Sequence, residues 1–172
     1  GRRALKANTT ANDNTALGYH ALELNTTGIE NVALGSNTLD ANTTGNYNTG
    51  LGRNALSANT TGNKNTAVGR DALVSNTTAV ENTAVGYSSM YYNTTGTANV
   101  SVGKDALFAN TTANNNTAVG YFALKQNTTG TYNTALGAYT LDSNTTADSN
   151  TALGYAALTK NTTGTGNIGV GK

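Results

Sequence analysis

Glycine returns every 17 residues along the whole chain, at Gly1, Gly18, Gly35, Gly52, Gly69, Gly86, Gly103, Gly120, Gly137, Gly154 and Gly171. Self-similarity at a fixed period marks a repeat architecture, in which one unit cannot bury its apolar side alone and must stack on its neighbours. The chain of 172 residues then divides into ten complete repeats followed by Gly171-Lys172. It reads as a single array, 1–172, taken from a longer fibre, because it starts in the middle of the pattern. A unit of this length is too short for helix–turn–helix repeats, which take about 33 or 34 residues. It suits one coil of an all-β parallel β-solenoid (β-roll), with short strands and tight corners stacked on the coil before.

Aligning the repeats turns each position into a column that can be read against ten examples. The anchor column is Gly in every coil, which predicts a left-handed corner or a place where a neighbouring backbone leaves no room for a Cβ. One residue after each Asn-Thr-Thr the chain is Gly or Ala. Because Ala11, Ala79, Ala113 and Ala147 suffice there, that turn does not require positive φ. Four residues after the anchor comes an aliphatic column, Leu5 to Leu158, with Met90 as its one variant. The last side of each coil reads Asn, β-branched, small, Leu/Val, and its β-branched column is a strand signature. Side chains alternate along a strand, so Thr117 and Val119 share one face and Ala118 points the other way.

Variable columns mark the outside. Arg2, Tyr19, Ser36, Arg53 and Arg70 share one, and Asp13, Glu30, Tyr47, Lys64 and Glu81 share another. What remains for the interior is about two large aliphatics per coil with some Ala and Thr. Burial of each aliphatic contributes only about 1.5–3 kcal/mol, which is thin for a lone chain. Two remedies are expected. Polar ladders stack along the axis, and chains associate to bury the small-residue columns between them.

Composition narrows the function classes. Only 11% of residues are charged and the net charge is +1, so charge-driven disorder and a drive towards nucleic acid are both absent. There is no Cys, hence no disulfide framework and no thiolate metal site. No apolar run approaches the roughly 20 residues of a membrane span.

The unit "NTAVGYFALKQNTTG" resembles the head repeats of trimeric autotransporter adhesins of the YadA type, and related repeats of phage tail fibres. All ten units share the pattern, with a longer period and an invariant Asn-Thr-Thr that set this chain apart. The resemblance implies a left-handed β-roll, a homotrimer, and a place on a bacterial cell surface or a virion.

Two strict Asn columns are the strongest candidate features. The first is Asn8, Asn25, Asn42, Asn59, Asn76, Asn93, Asn110, Asn127, Asn144 and Asn161, the leading residue of each Asn-Thr-Thr. The second is Asn14, Asn31, Asn48, Asn65, Asn82, Asn99, Asn116, Asn133, Asn150 and Asn167. Identical amides stacked at a strand spacing can hydrogen-bond along the axis, so both columns are read as structural ladders. The first also spells the N-x-Thr acceptor of N-glycosylation, which makes a row of glycans the alternative. Regular Thr suggests ice binding less strongly, because adjacent Thr in a strand face opposite ways.

Tyr91, Tyr92 and Phe108 fall in neighbouring columns of adjacent coils, and Phe122 is expected to stack with Tyr139, one coil on in its own column. They form a candidate contact patch for a sugar, a partner fibre or another protomer. The run Gly164, Gly166, Gly169 spells G-x-G-x-x-G, yet the repeat itself accounts for it and no βαβ unit surrounds it. His20 lies in a variable column and is read as a surface residue. Glu23 with Asp40, and Asp13 with Glu30, are next-coil neighbours read as solvated charge or, at most, a weak cation site. No catalytic residue, cofactor or metal is expected. The expected role is a structural segment of an extracellular or virion fibre whose partners are identical chains, with a glycan-bearing or glycan-engaging fibre as the alternative.

Overall fold

A computed structural model describes all residues 1–172. Ten three-residue strands, from β1 (Thr15–Leu17) to β10 (Ile168–Val170), form one ten-stranded parallel sheet in strict chain order. Each strand pairs with the same three columns of the next coil, as in Thr66↔Thr83, Ala67↔Ala84 and Val68↔Val85. The repeat therefore is one coil of a parallel β-solenoid, and a single short strand per coil carries the regular pairing. No helix is long and apolar enough to cross a membrane.

The rest of each coil is turn, and its hydrogen bonds still run between coils. His20 N–H donates back to the Arg2 carbonyl, whereas Leu22 and Leu24 donate forward to Thr38 and Asp40. Such alternation needs the peptide planes to flip, and left-handed residues flip them. The Leu/Met column sits at φ between 48° and 55° in all ten coils, and the residue two before it is left-handed as well. A third left-handed column runs from Asp13 through Tyr132 to Gly166. None of these columns is reserved for Gly, so the sequence gives little sign of them. Left-handed φ costs a non-Gly residue of order 1–3 kcal/mol, and it persists because the stacked neighbours over-determine it.

The anchor glycines meet both of the expected conditions. Gly86 has φ 137°, and a Cβ there would lie 2.5 Å from the Gly103 carbonyl oxygen. The Gly/Ala turn after Asn-Thr-Thr has no positive φ, as Ala in four coils implies.

The core differs from the expectation of two large aliphatics per coil. Only one is buried: Leu22, Leu39, Leu56, Leu73, Met90, Leu107, Leu124 and Leu141 are fully enclosed. Opposite them, the middle residue of each strand points inward as Ala, Gly or Ser. The strand's Leu/Val instead lies on its outer face, with Leu136 46% exposed. The cross-section is too small for a second large side chain. Gly50 shows the tightness, because a Cβ on it would come within 2.6 Å of Thr38 Cγ2. The small-residue columns consequently fill the inside of the coil and are not available for packing between chains. In the coil of Met90 the same small positions are Ser89 and Ser101, whose hydroxyls bond each other at 2.6 Å while Ser101 also donates to the Ala106 carbonyl.

Candidate functional site

The two Asn columns sit at the corners of the coil and form continuous amide ladders. In the first, each Nδ2 donates to the Oδ1 of the Asn one coil earlier, as Asn42 does to Asn25 at 2.8 Å and Asn59 to Asn42 at 2.9 Å. Its other hydrogen goes to the carbonyl three residues on, Gly45 for Asn42 at 3.0 Å. The chain turns tightly after Asn-Thr-Thr, and this bond ties that turn. Asn25 through Asn144 are fully buried, while Asn8 and Asn161, in the first and last coils, are part-exposed. The Nδ2 on which an N-linked glycan would be built thus lies inside, with both hydrogens in hydrogen bonds.

The second ladder works at the entry to the strand. Oδ1 of Asn48 accepts from the Asn65 backbone N–H at 3.0 Å and from its Nδ2 at 3.1 Å. That Nδ2 also donates to the Ala79 carbonyl, one coil further on, at 2.8 Å. Each second-ladder Asn between Asn14 and Asn167 is thereby tied to the coils on both sides. A third ladder, not foreseen from the sequence, uses the first Thr of Asn-Thr-Thr. Thr43 Oγ1 donates to the Thr60 carbonyl, Thr60 to Thr77, and so on to Thr145 and Thr162. The second Thr has no such task. Thr27, Thr44, Thr61 and their equivalents are exposed in every coil, and their hydroxyls make no hydrogen bond within the chain.

Eight of the eleven Tyr and Phe residues lie on the turn side of coils six to ten, with Tyr19, Tyr47 and Tyr132 apart from them. Tyr91, Tyr92 and Phe108 are brought together, with ring centroids 4.8 Å (Tyr91–Tyr92), 5.4 Å (Tyr91–Phe108) and 5.1 Å (Tyr92–Phe108) apart. Phe122 meets Tyr139 edge-on at 5.6 Å rather than stacking on it, and it stacks instead on Tyr121 at 3.9 Å. Lys125 Nζ stands 3.8 Å from the Phe122 ring centroid.

Of the charged candidates, only Glu23 and His20 pair with each other. Glu23 takes Arg3 at 3.1 Å and His20 Nδ1 at 3.0 Å. His20 is part-buried and stacks on Tyr19 at 3.7 Å, so it is less of a surface residue than its variable column suggested. Asp13 and Glu30 lie on the exposed, left-handed column. No group of three His, Asp or Glu side chains is placed to hold a metal ion.

Burial holds two carboxyls, Asp40 and Asp142, above the usual range. Asp40 is pulled partly back by its own and Ala41's backbone and by His20, and Asp142 by Lys125. Each has one buried oxygen with no hydrogen-bond partner. A raised folded value means that the folded chain keeps a proton the unfolded chain has already lost at about pH 4. The folded state is therefore favoured most below that pH, and this advantage is lost as pH rises through the raised value. Asp142→Asn is expected to melt at a higher temperature than the wild type at neutral pH, with the gap closing below about pH 3.5. Thermal melts at the two pH values check this.

No protein-family model matches the chain, and no curated protein and no solved structure matches it either. What is established is the class: a repetitive, all-β parallel solenoid laced by asparagine ladders, of the general kind used in solenoid and fibre repeat proteins.

Proposed function

We propose that the chain is a structural segment of an extracellular or virion fibre, adhesin-like, in which identical chains associate as a left-handed homotrimer. One observation carries the reading. The outer face of the sheet presents an unbroken row of ten Leu or Val side chains beside a row of Thr, Val and Ile. Leu17, Leu51, Leu136 and Leu153 are 62%, 41%, 46% and 44% exposed. An apolar strip of this length marks an interaction surface. The row repeats at the strand spacing of about 4.7–4.9 Å, and another copy of the same chain repeats its own row at that spacing along the full length. Continuous ladders suit the mechanical role, because every coil is tied to the next and open edges occur only at the two ends.

Light scattering on the purified chain is expected to give three copies per particle. Leu51→Lys with Leu136→Lys is expected to weaken association roughly a hundredfold or more, since each buried Leu contributes about 1.5–3 kcal/mol. The fold, followed by circular dichroism, is expected to be retained, because both side chains already face solvent. A monomeric wild type would overturn the reading. A second reading, a fibre whose regular Thr face engages glycan, has its own support in the invariant, exposed second Thr of each Asn-Thr-Thr, whereas a glycan carried on the Asn would have to be built on a buried, doubly bonded Nδ2.

A further inference from the structure

Tyr87, Tyr121 and Tyr155 occupy one column, the position after the anchor glycine, and recur every second coil. All three are exposed, at 45%, 38% and 56%. Two coils span twice the strand spacing, so the rings repeat every ~9.6 Å along the axis. The positions between them are Lys104 and Ala138. Lys104 Nζ lies 5.8 Å from the Tyr87 ring centroid and 5.6 Å from that of Tyr121, between the two rings. At Ala138 the gap between Tyr121 and Tyr155 is bridged instead by the ring of the next residue, Tyr139.

A second layer holds Tyr121 and Tyr155 in place, while Tyr87 is flanked by Arg70 and Lys104. Phe122 stacks on Tyr121 with ring planes 17° apart, and Tyr139 meets Tyr121 at 5.3 Å and Tyr155 at 5.8 Å, edge-on to both. Rings fixed by neighbours lose little freedom when a ligand lies on them. The anchor glycines turn the chain between the strand face and this column, so the row is separate from the Leu/Val strip. It also stands or falls independently of the fibre reading.

We propose that this row binds an extended β-1,4-linked polysaccharide lying along the solenoid axis, with every second sugar on a tyrosine. Such a chain is a flat ribbon that repeats after two sugars, over a length close to two coils. Its sugars present C–H faces that stack on aromatic rings, while their edges carry hydroxyls. Lys104 donates to the hydroxyls of the sugar that bridges Tyr87 and Tyr121, and the phenol groups serve the ribbon's edges.

The test is retention of the whole chain on insoluble cellulose and on chitin, with α-linked dextran as the control polymer. Cellulose and chitin share the linkage and differ in the substituent, so the two arms tell which polymer is preferred. Wild type is expected to be retained on at least one of them and not on dextran. Each single Tyr→Ala is expected to weaken binding roughly three- to tenfold, and the triple variant is expected to fall to the dextran level. Tyr121→Ala combined with Ala138→Tyr keeps the number of rings but breaks the two-coil spacing, and it is expected to bind no better than Tyr121→Ala alone. Circular dichroism confirms that each variant remains folded. The proposal is overturned if wild type is retained on neither polymer or equally on dextran, if the triple variant binds as wild type does, or if the shifted ring restores binding.

Discussion

Gly86→Ala is expected to destabilise the array by roughly 3–5 kcal/mol, among the largest effects a single substitution can have here. Two costs add at the same atom. The φ of 137° lies outside the region an L-residue adopts readily, and the new Cβ would sit 2.5 Å from the Gly103 carbonyl oxygen. Neither cost can relax alone, because the carbonyl that would have to move belongs to the next anchor glycine, itself held against Gly120. In a stack where each coil contacts only its neighbours, a broken interface in the middle divides the array into two shorter ones. Thermal melts should show a lowered and broadened transition, and hydrogen exchange should be fastest around residues 86 and 103. The contrasting substitution is Gly45→Ala in the turn after Asn-Thr-Thr. A Cβ there would also crowd Asn42 Oδ1 and come within 2.5 Å of the Gly62 carbonyl oxygen, but φ is not positive and four coils already carry Ala, so a much smaller loss is expected. The Ala coils show how the turn adapts. Their Asn Nδ2 to carbonyl bonds are 3.1 Å at Ala11, 3.3 Å at Ala79, 3.2 Å at Ala113 and 3.0 Å at Ala147, overlapping the 2.8 Å at Gly164 to 3.1 Å at Gly62 of the Gly coils, so the turn takes Ala with little change. Equal losses from the two substitutions would mean that positive φ is not what reserves the anchor column for Gly.

The contrast between those two glycine columns was legible in the sequence, since a column that admits Ala cannot demand positive φ. So were the coil, its period and the identity of the inward Leu column. Three features were not. The Leu column's left-handed backbone gives no sign, because it is set by hydrogen bonds to coils above and below rather than by local preference. The strand's Leu/Val belongs with the interior if aliphatics are simply counted as buried, two to a coil. The deciding quantity was the width of the coil, which Gly50 against Thr38 and the paired Ser89 and Ser101 reveal only in three dimensions. The Thr ladder was missed for a simpler reason. Adjacent Thr residues were judged as if in a strand, yet Asn-Thr-Thr is a corner, where the first hydroxyl reaches the next coil's carbonyl and the second does not. The aromatic row was partly legible. Tyr91, Tyr92 and Phe108 were grouped correctly by column, whereas the even spacing of Tyr87, Tyr121 and Tyr155 gains meaning only once the coil spacing is a physical distance.

Asn65→Asp isolates what the second ladder contributes, and its effect is expected to depend on pH. The amide is fully buried, its Nδ2 donates to Asn48 Oδ1 and the Ala79 carbonyl, and its Oδ1 accepts from the Asn82 backbone. An aspartate of the same shape keeps the acceptor and removes both donors. Two buried oxygens then face a carboxylate instead of an amide, so burial and repulsion both push the new carboxyl's pKa upward. A folded value above the unfolded one of about 3.9 means that stability is greatest in acid and is lost as pH rises through the folded value. At neutral pH the loss is expected to be about 3–5 kcal/mol, the cost of an uncompensated buried charge. In acid the protonated oxygen donates to one of the two acceptors and recovers part of it. Asn65→Leu removes the same donors without a charge, so its loss should be large and flat across pH. The decisive measurement is the difference in melting temperature between the two variants as pH is lowered. If the aspartate variant melts in parallel with the leucine one at every pH, the residue is not held in the dry, acceptor-lined corner described here. If the two curves approach at neutral pH and separate in acid with the aspartate the more stable, the ladder is a chain of directional amide bonds that polarity alone cannot replace.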